Sequence, residues 1–307
     1  MPAHNKIKLY DTKSFTAKFM PSDELQAQLK GDQNKFLIVK VEDMYRHVSH
    51  AVPPSRSHTH TCIYLTAGEA YMQIGGQKCT IHKNEMLFVP AGQVFSFDAY
   101  DDSKFNKGYL CNFHNDILVG KFGKSDLLKD FEFLRIWGNY VIQPDAQTAK
   151  FVLHLFKRIL LEYVTNGLQN LDIIQPYFIT LLCEVNRAYK PIAQDRPPAA
   201  MKLANAFREL LFAHARSMHL VTDYATMLHV SPNHLNKAVK AATDKPVTRW
   251  IDEGIILEAK VLLGQSDLSV SEIAAAVGLE DQSYFTRLFK KYEGVTPTAF
   301  RKMIEKS

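Results

Sequence analysis

VTDYATMLHVSPNHLNKAVKAATDKPV at residues 221–247 and VSEIAAAVGLEDQSYFTRLFKKYEGVTP at residues 270–297 repeat one another weakly, at a period of about 50 residues. Each copy opens with a short helical stretch that carries a small residue, Ala225 or Ala274. A tight turn follows, His229-Val230-Ser231 in the first copy and Gly278-Leu279-Glu280 in the second. The next helical stretch repeats apolar residues at four-residue spacing, Leu235 with Val239 and Phe285 with Phe289. Helices that cross closely need a small side chain at the crossing, a permissive residue at the turn and apolar residues at fixed intervals, so each copy reads as a helix-turn-helix. Asp223, Ser231 and Asp281 stand where N-caps or first-turn acids belong.

The outer face of the second helix in each copy is the candidate functional surface. The first copy offers Asn233, His234, Asn236, Lys237 and Lys240, and the second offers Gln282, Ser283, Thr286, Arg287, Lys290 and Lys291. Asn and Gln carboxamides pair with adenine edges, Arg and Lys prefer guanine edges, and flanking Lys neutralises phosphate. Neither face carries an acid between Asn233 and Lys240 or between Gln282 and Lys291. One such face is an ordinary solvated helix surface; two at matched spacing point to DNA. Between the copies, TRWIDEGIILEAKVLLGQSDLSV puts Trp250, Ile251, Ile255, Ala259, Leu262 and Leu263 on one helical face. A long connecting helix of this kind is suited to hold two reading helices about one DNA turn apart, roughly 34 Å.

Outward from the repeat, KPIAQDRPPAA at 190–200 breaks any helix with three prolines and reads as the linker. Before it, Phe151, Leu155, Ile159 and Leu160, then Tyr177, Leu181, Leu182 and Val185, recur at helical spacing on either side of TNGLQN. An antiparallel helical hairpin follows from this pattern, its stripes packing either on the domain before it or on a second chain. Residues 36–119 hold short β-branched and aromatic runs, FLIVKV, TCIYLTAGEAYMQI and EMLFVPAGQVFSF, with Gly68 and Gly75-Gly76 at expected hairpin turns. The expected organisation is α+β in two domains: a β-barrel domain over 1–146, a hairpin over 147–189, a linker over 190–200 and an all-α domain over 201–307.

At 307 residues, 46% hydrophobic and 22% charged, the chain has enough apolar surface for two cores. Its net charge of +5 is too weak to imply nucleic acid by itself. Cys62, Cys79, Cys111 and Cys183 stand singly in apolar stretches, without metal-site or disulfide-framework spacing, and are expected to be buried free thiols. No run is long and apolar enough for a membrane span, and MPAHNKIKLYDTKSF lacks the apolar core of a signal peptide, so a cytoplasmic protein with no membrane partner is expected.

Residues 201–304 resemble the DNA-binding domain of the AraC/XylS family of bacterial regulators. The resemblance is strongest over IAAAVGLEDQSYFTRLFKKYEGVTPTAFRK, Ile273 to Lys302, and extends to LEAKVLLGQSDLSVSEIA, which is similar to the family's linker helix. It implies base-reading roles for Asn233, Asn236 and Lys237, then for Gln282, Thr286 and Arg287. It implies phosphate contact, or support for it, at Ser231, Lys240, Lys290, Lys291 and Arg301, with a structural role for Arg301 as the alternative. Asp244 departs from the pattern, standing where the family has Gly; Asp tolerates a left-handed helix end better than most residues.

The stretch from Ser57 to Phe97 resembles the cupin-like β-barrel found ahead of many such domains, through HTHTCIYLTAG and PAGQVFSF. The resemblance covers only part of the metal set of such barrels: His58 and His60 remain, but Tyr64 stands nearest the Glu position and Phe95 replaces the second-motif His. Two imidazoles are too few for a catalytic metal, unless His82, His114 or Glu85 converge on them. No cofactor, metal or catalytic residue is therefore expected. His58, His60, Tyr64, Tyr71, Phe88 and Phe95 are instead the candidate lining of a small-molecule pocket, with Tyr109 and Phe113 as further walls; simple barrel core is the alternative. The expected partners are double-stranded promoter DNA, a small-molecule effector, a second copy of the chain and, as a further candidate, RNA polymerase. The expected function is ligand-responsive transcription regulation; a metal-dependent cupin enzyme with a DNA-binding appendage and an effector-independent regulator are the alternatives.

Overall fold

A computed structural model describes residues 10–20, 22, 29–46, 51–97, 105–119, 131–134, 139–189 and 198–305. The chain divides into an N-terminal unit, Leu9–Ile192, and a second unit that takes in Ala193–Ser307. The helical hairpin belongs to the first unit. The expected linker lies outside the described residues except for its last three positions, which open a helix.

In the N-terminal unit, α1 (Thr12–Phe19) is capped by Asp11, whose carboxylate accepts from Ser14 N at 2.7 Å. Nine strands follow among the described residues: β1 (Phe36–Lys40), β2 (Val52–Arg56), β3 (His60–Ala67), β4 (Glu69–Ile74), β5 (Gln77–His82), β6 (Met86–Val89), β7 (Val94–Phe97), β8 (Lys107–Phe113) and β9 (Val141–Ile142). FLIVKV does not stay extended to its end, because α2 (Val41–Tyr45) begins at the valine. The pairings are antiparallel and build two sheets, in the orders β1-β8-β3-β6-β9 and β2-β7-β4-β5. The backbone pairing among the described residues is thus organised as two sheets rather than one continuous ring. Gly68 makes the tight β3–β4 connection at φ 86°, where an added Cβ would lie 1.9 Å from Asn106 Oδ1.

Strand alternation sends two sets of side chains to two different cores. Leu37, Val39, Ile63, Leu65, Leu87, Val89 and Leu110 join Met72, Ile74, Ile81 and Phe95 of the other sheet in one cluster. Phe36, Ile38, Cys62, Tyr64, Phe88, Cys111 and Phe113 point to the opposite face, where the hairpin covers them. That hairpin consists of α3 (Ala146–Asn166) and α4 (Leu171–Ala188). Val152, Phe156, Ile159, Tyr163, Ile174, Phe178, Leu181, Leu182 and Val185 are its buried stripes. Asp145 caps α3 by accepting from Gln147 N and Thr148 N, and Gly167 closes it at φ 62°. Glu162 joins the helices, accepting from Arg158, Asn166 and Asn170 at 2.7–2.8 Å; these bonds hold its carboxyl well below the usual range, at about 2. Phe151, Leu161, Val164 and Tyr177 stay exposed on the hairpin. Cys62 and Cys111 are buried as expected, but Cys79 is half-buried and Cys183 exposed, on the side of α4 away from its stripe.

The second unit is helical throughout its regular structure: α5 (Pro198–His214), α6 (Val221–Met227), α7 (Pro232–Thr243), α8 (Val247–Gln265), α9 (Val270–Ala276), α10 (Gln282–Glu293) and α11 (Pro297–Glu305). Helix α8, about 28 Å long at 1.5 Å per residue, buries Trp250, Ile251, Ile255, Ala259, Leu262 and Leu263. Ion pairs tie it to its neighbours, Glu258 with Arg216 at 3.1 Å and Lys260 with Glu293 at 2.9 Å. Trp250 donates its indole N–H to Thr243 Oγ1 at 3.0 Å, with the Arg208 guanidinium 4.7 Å and the Lys245 ammonium 5.0 Å from its ring centroid.

Candidate functional site

The two repeats fold alike. Helices α6 and α9 each bury their small residue, Ala225 or Ala274. Each turn then passes through a left-handed residue, His229 at φ 54° or Gly278 at φ 78°, so that the chain reverses onto α7 or α10. Ser231 caps α7 by accepting from His234 N at 3.2 Å. Asp281 caps α10 by accepting from Ser283 N at 2.7 Å and Tyr284 N at 3.2 Å. Asp244 and Gly294 end the two helices in the left-handed conformation. Leu235, Val239, Phe285 and Phe289 anchor the inner faces with no exposed surface.

The outer faces then follow from helical periodicity. Asn233, His234, Lys237 and Lys240 are exposed on α7, and Gln282, Ser283, Arg287, Lys290 and Lys291 on α10. Lys237, Lys240, Arg287 and Lys290 make no ion pair among the described residues, which leaves their charge available to an anionic partner. Lys291 lies over the Tyr292 ring at 5.1 Å. Tyr284, 45% exposed, stands on α10 where His234 stands on α7 and belongs to this surface; the expected set omitted it, and the sequence signal that places it there is the repeat alignment.

Asn236, Arg301 and Ser231 of the expected set are engaged elsewhere, and Thr286 is partly withdrawn from the surface. Asn236 is half-buried, and its Oδ1 accepts from Val247 N at 3.0 Å, binding α7 to the start of α8. Thr286, its counterpart, is likewise half-buried. Arg301 donates to Leu263 O at 3.3 Å and Leu268 O at 2.6 Å, so its guanidinium satisfies carbonyls at and beyond the end of α8. Ser231 spends its hydroxyl on the cap.

A second site lies inside the N-terminal unit. A cavity of about 40 Å³ has walls that include Phe15, Leu37, Val39, Phe95, Phe97 and Leu110, with Ser57, Thr61 and Asn112 among its polar groups. Of the expected lining, only Phe95 is there. His60, Tyr64 and Phe88 share a face as the alternation predicts, but it is the face under the hairpin: Tyr64 stacks on Phe156 at 5.5 Å and Phe88 meets Phe133 at 4.6 Å. Tyr109 and Phe113 lie in the same layer. Tyr71 is 60% exposed, because Ala70, Met72 and Ile74 take the inward positions of β4, and His58 is exposed just before β3.

His60 is a structural histidine. Its Nδ1 accepts from Ala91 N at 3.1 Å, its Nε2 donates to Asn115 Oδ1 at 2.7 Å, and its ring stacks on Phe113 at 5.0 Å. Burial lowers its pKa to about 4. Both nitrogens are occupied, so the ring has no lone pair left for a metal. His82 pairs with Glu69, and His114 with Asp116. Among the described residues, no group of three or more His, Cys, Asp or Glu side chains is placed to hold a metal ion. No helix there is long and apolar enough to cross a membrane.

Residues 224–303 match the model of a helix-turn-helix domain family. The Msm operon regulatory protein of Streptococcus mutans is 30% identical over 101 residues, 33% of this chain and 36% of that one. The arabinose operon regulatory protein of Salmonella typhimurium is 29% identical over 105 residues, 34% of this chain and 37% of that one. The match thus spans just over a third of the length of these curated relatives. Among solved structures, ToxT from Vibrio cholerae is similar over 88% of this chain and 98% of its own, at 12% identity and a TM-score of 0.43. Residues 221–297 hold a duplicated helix-turn-helix, and over this C-terminal part the chain is similar to helix-turn-helix regulators of bacterial operons.

Proposed function

We propose that the protein is a ligand-responsive, sequence-specific regulator of transcription, acting in the cytoplasm as a homodimer on double-stranded promoter DNA. The observation that carries this reading is the pair of outer faces on α7 and α10, equivalent in the repeat, free of acids, and bearing cations with no ion-pair partner among the described residues. Asn233 and Gln282 supply carboxamides suited to adenine, Lys237 and Arg287 supply donors suited to guanine, and Lys240, Lys290 and Lys291 supply phosphate contacts. Ser283, at the exposed start of α10, adds a small hydroxyl that serves a base edge or a phosphate. Asn236 and Thr286 act by setting the angle of the reading helices rather than by reaching bases.

The two sheets form the halves of a cupin-like barrel, and the cavity between them is the effector site. A bound effector regulates only if it changes the balance between DNA-competent and DNA-incompetent arrangements. The exposed apolar residues of the hairpin, Phe151, Leu161, Val164 and Tyr177, form the surface that pairs two chains. DNase footprinting of the full chain on DNA upstream of its own coding sequence tests the reading. Each subunit is expected to protect two major-groove segments about one helical turn apart. Uniform coating without discrete protection would overturn it.

A further inference from the structure

We infer that the cavity between the sheets takes an uncharged, mainly apolar small molecule carrying a hydrogen-bond acceptor, and that the Asn112 carboxamide is the group that binds that acceptor. The inference rests on reading this cavity as the effector site, and it adds the chemistry of the ligand.

None of the described lining residues is ionisable. Most of the described wall is aliphatic or aromatic, so a carboxylate or ammonium in the cavity would lose its hydration and meet no opposite charge among the described lining residues, which is costly. The polar groups narrow the class further. Ser57 Oγ shares a hydrogen bond with Thr59 Oγ1 at 2.8 Å, and Thr59 Oγ1 with Thr12 Oγ1 at 3.3 Å. Thr16 donates its hydroxyl to Lys13 O at 3.0 Å. Thr61 donates its hydroxyl to Asn112 Oδ1 at 2.8 Å. That bond fixes which end of the carboxamide is occupied and leaves the Asn112 NH2 group, two donors, without a partner among the described residues.

A donor in an apolar cavity selects a ligand that brings an acceptor, such as a ketone, ester, ether or alcohol oxygen. A polyhydroxylated molecule fits poorly, because its several hydroxyls would each need a partner that the walls do not offer. At about 40 Å³ the cavity offers the space of roughly three waters, which suits a ligand of only about four or five heavy atoms. Its aliphatic and aromatic walls suit a hydrocarbon body of modest size.

Isothermal titration calorimetry of the full chain with 2-butanone, butanoate and butane at neutral pH tests the inference. The ketone is expected to bind at least tenfold more tightly than the carboxylate. Asn112→Leu, and separately Asn112→Asp, which retains an acceptor for Thr61, should weaken the ketone at least tenfold. Asn112→Leu should leave butane within about threefold. Leu110→Trp, which fills the cavity, should abolish binding of all three, with thermal unfolding of each variant as the check on folding. Butanoate binding as tightly as the ketone, and lost in Leu110→Trp, would overturn the ligand class while leaving the cavity as an effector site. Ketone binding unchanged in both Asn112 variants would overturn the role of Asn112. No binding by any of the three, or binding indifferent to Leu110→Trp, would overturn both the ligand class and the effector site.

Discussion

Asp244 and Gly294 occupy the same left-handed helix end at φ 60° and 76°, so the repeat supplies its own control for the cost of a side chain there. A Cβ is disfavoured in that conformation, though less for Asp than for most residues. Asp244→Gly should therefore stabilise the first repeat, by about 0.5–1 kcal/mol in urea unfolding. A destabilised variant would show that the Asp244 side chain contributes more than its strain costs. His60 gives a pH-dependent counterpart. Its folded pKa, about 4, lies below the ordinary 6.5, so as pH falls the unfolded chain takes up the proton first. Stability contributed by the neutral ring is complete above pH 6.5 and is lost progressively down to about pH 4, a change of order 3 kcal/mol. Urea unfolding followed from pH 7 to pH 4.5 should show this loss in the wild type and a flatter profile in His60→Gln; equal slopes would contradict it. At this scale the sequence was a partial guide. The exposed cations were legible from helical spacing, whereas the engagement of Asn236 with Val247 N and of Arg301 with the carbonyls near the end of α8 depends on how helices meet, which no local pattern encodes.

Among the elements of the repeat, the turn of the second copy admits only glycine. Gly278 holds φ 78°, and a Cβ there would lie 2.4 Å from both Arg216 O and His219 Cε1. Gly278→Ala should destabilise the protein by about 2 kcal/mol or more and weaken DNA binding through the misplaced α10; an unaltered unfolding midpoint would contradict this. Strand β3 shows what periodicity can and cannot supply. Its alternation correctly groups His60 with Tyr64, but both faces of its sheet are covered, one by the second sheet and one by the hairpin, and alternation cannot tell which of the two holds the cavity. The aromatic residues that suggested a pocket wall form the layer under the hairpin instead: Phe156 stacks with both Tyr64 and Tyr109, at 5.5 and 5.1 Å. The cavity-lining residues Thr61 and Asn112 carried no comparable signal, since their pairing joins positions far apart in the chain.

For the whole molecule, the proposed function needs a dimer interface on the hairpin as well as the reading helices. The double variant Phe151→Glu, Leu161→Glu places charge on the exposed side of α3, away from its buried stripe. Sedimentation should show the dimeric wild type replaced by a folded monomer. A variant that remains dimeric would move the interface elsewhere. The central claim, that α7 and α10 read base edges, is tested most directly by the affinity of full-length wild type, Lys237→Ala and Arg287→Ala for the footprinted site and for random DNA at one fixed salt concentration. Each substitution is expected to weaken specific binding by about 1–3 kcal/mol, with a much smaller effect on random DNA. Affinities for the footprinted site equal to wild type in both variants would contradict it.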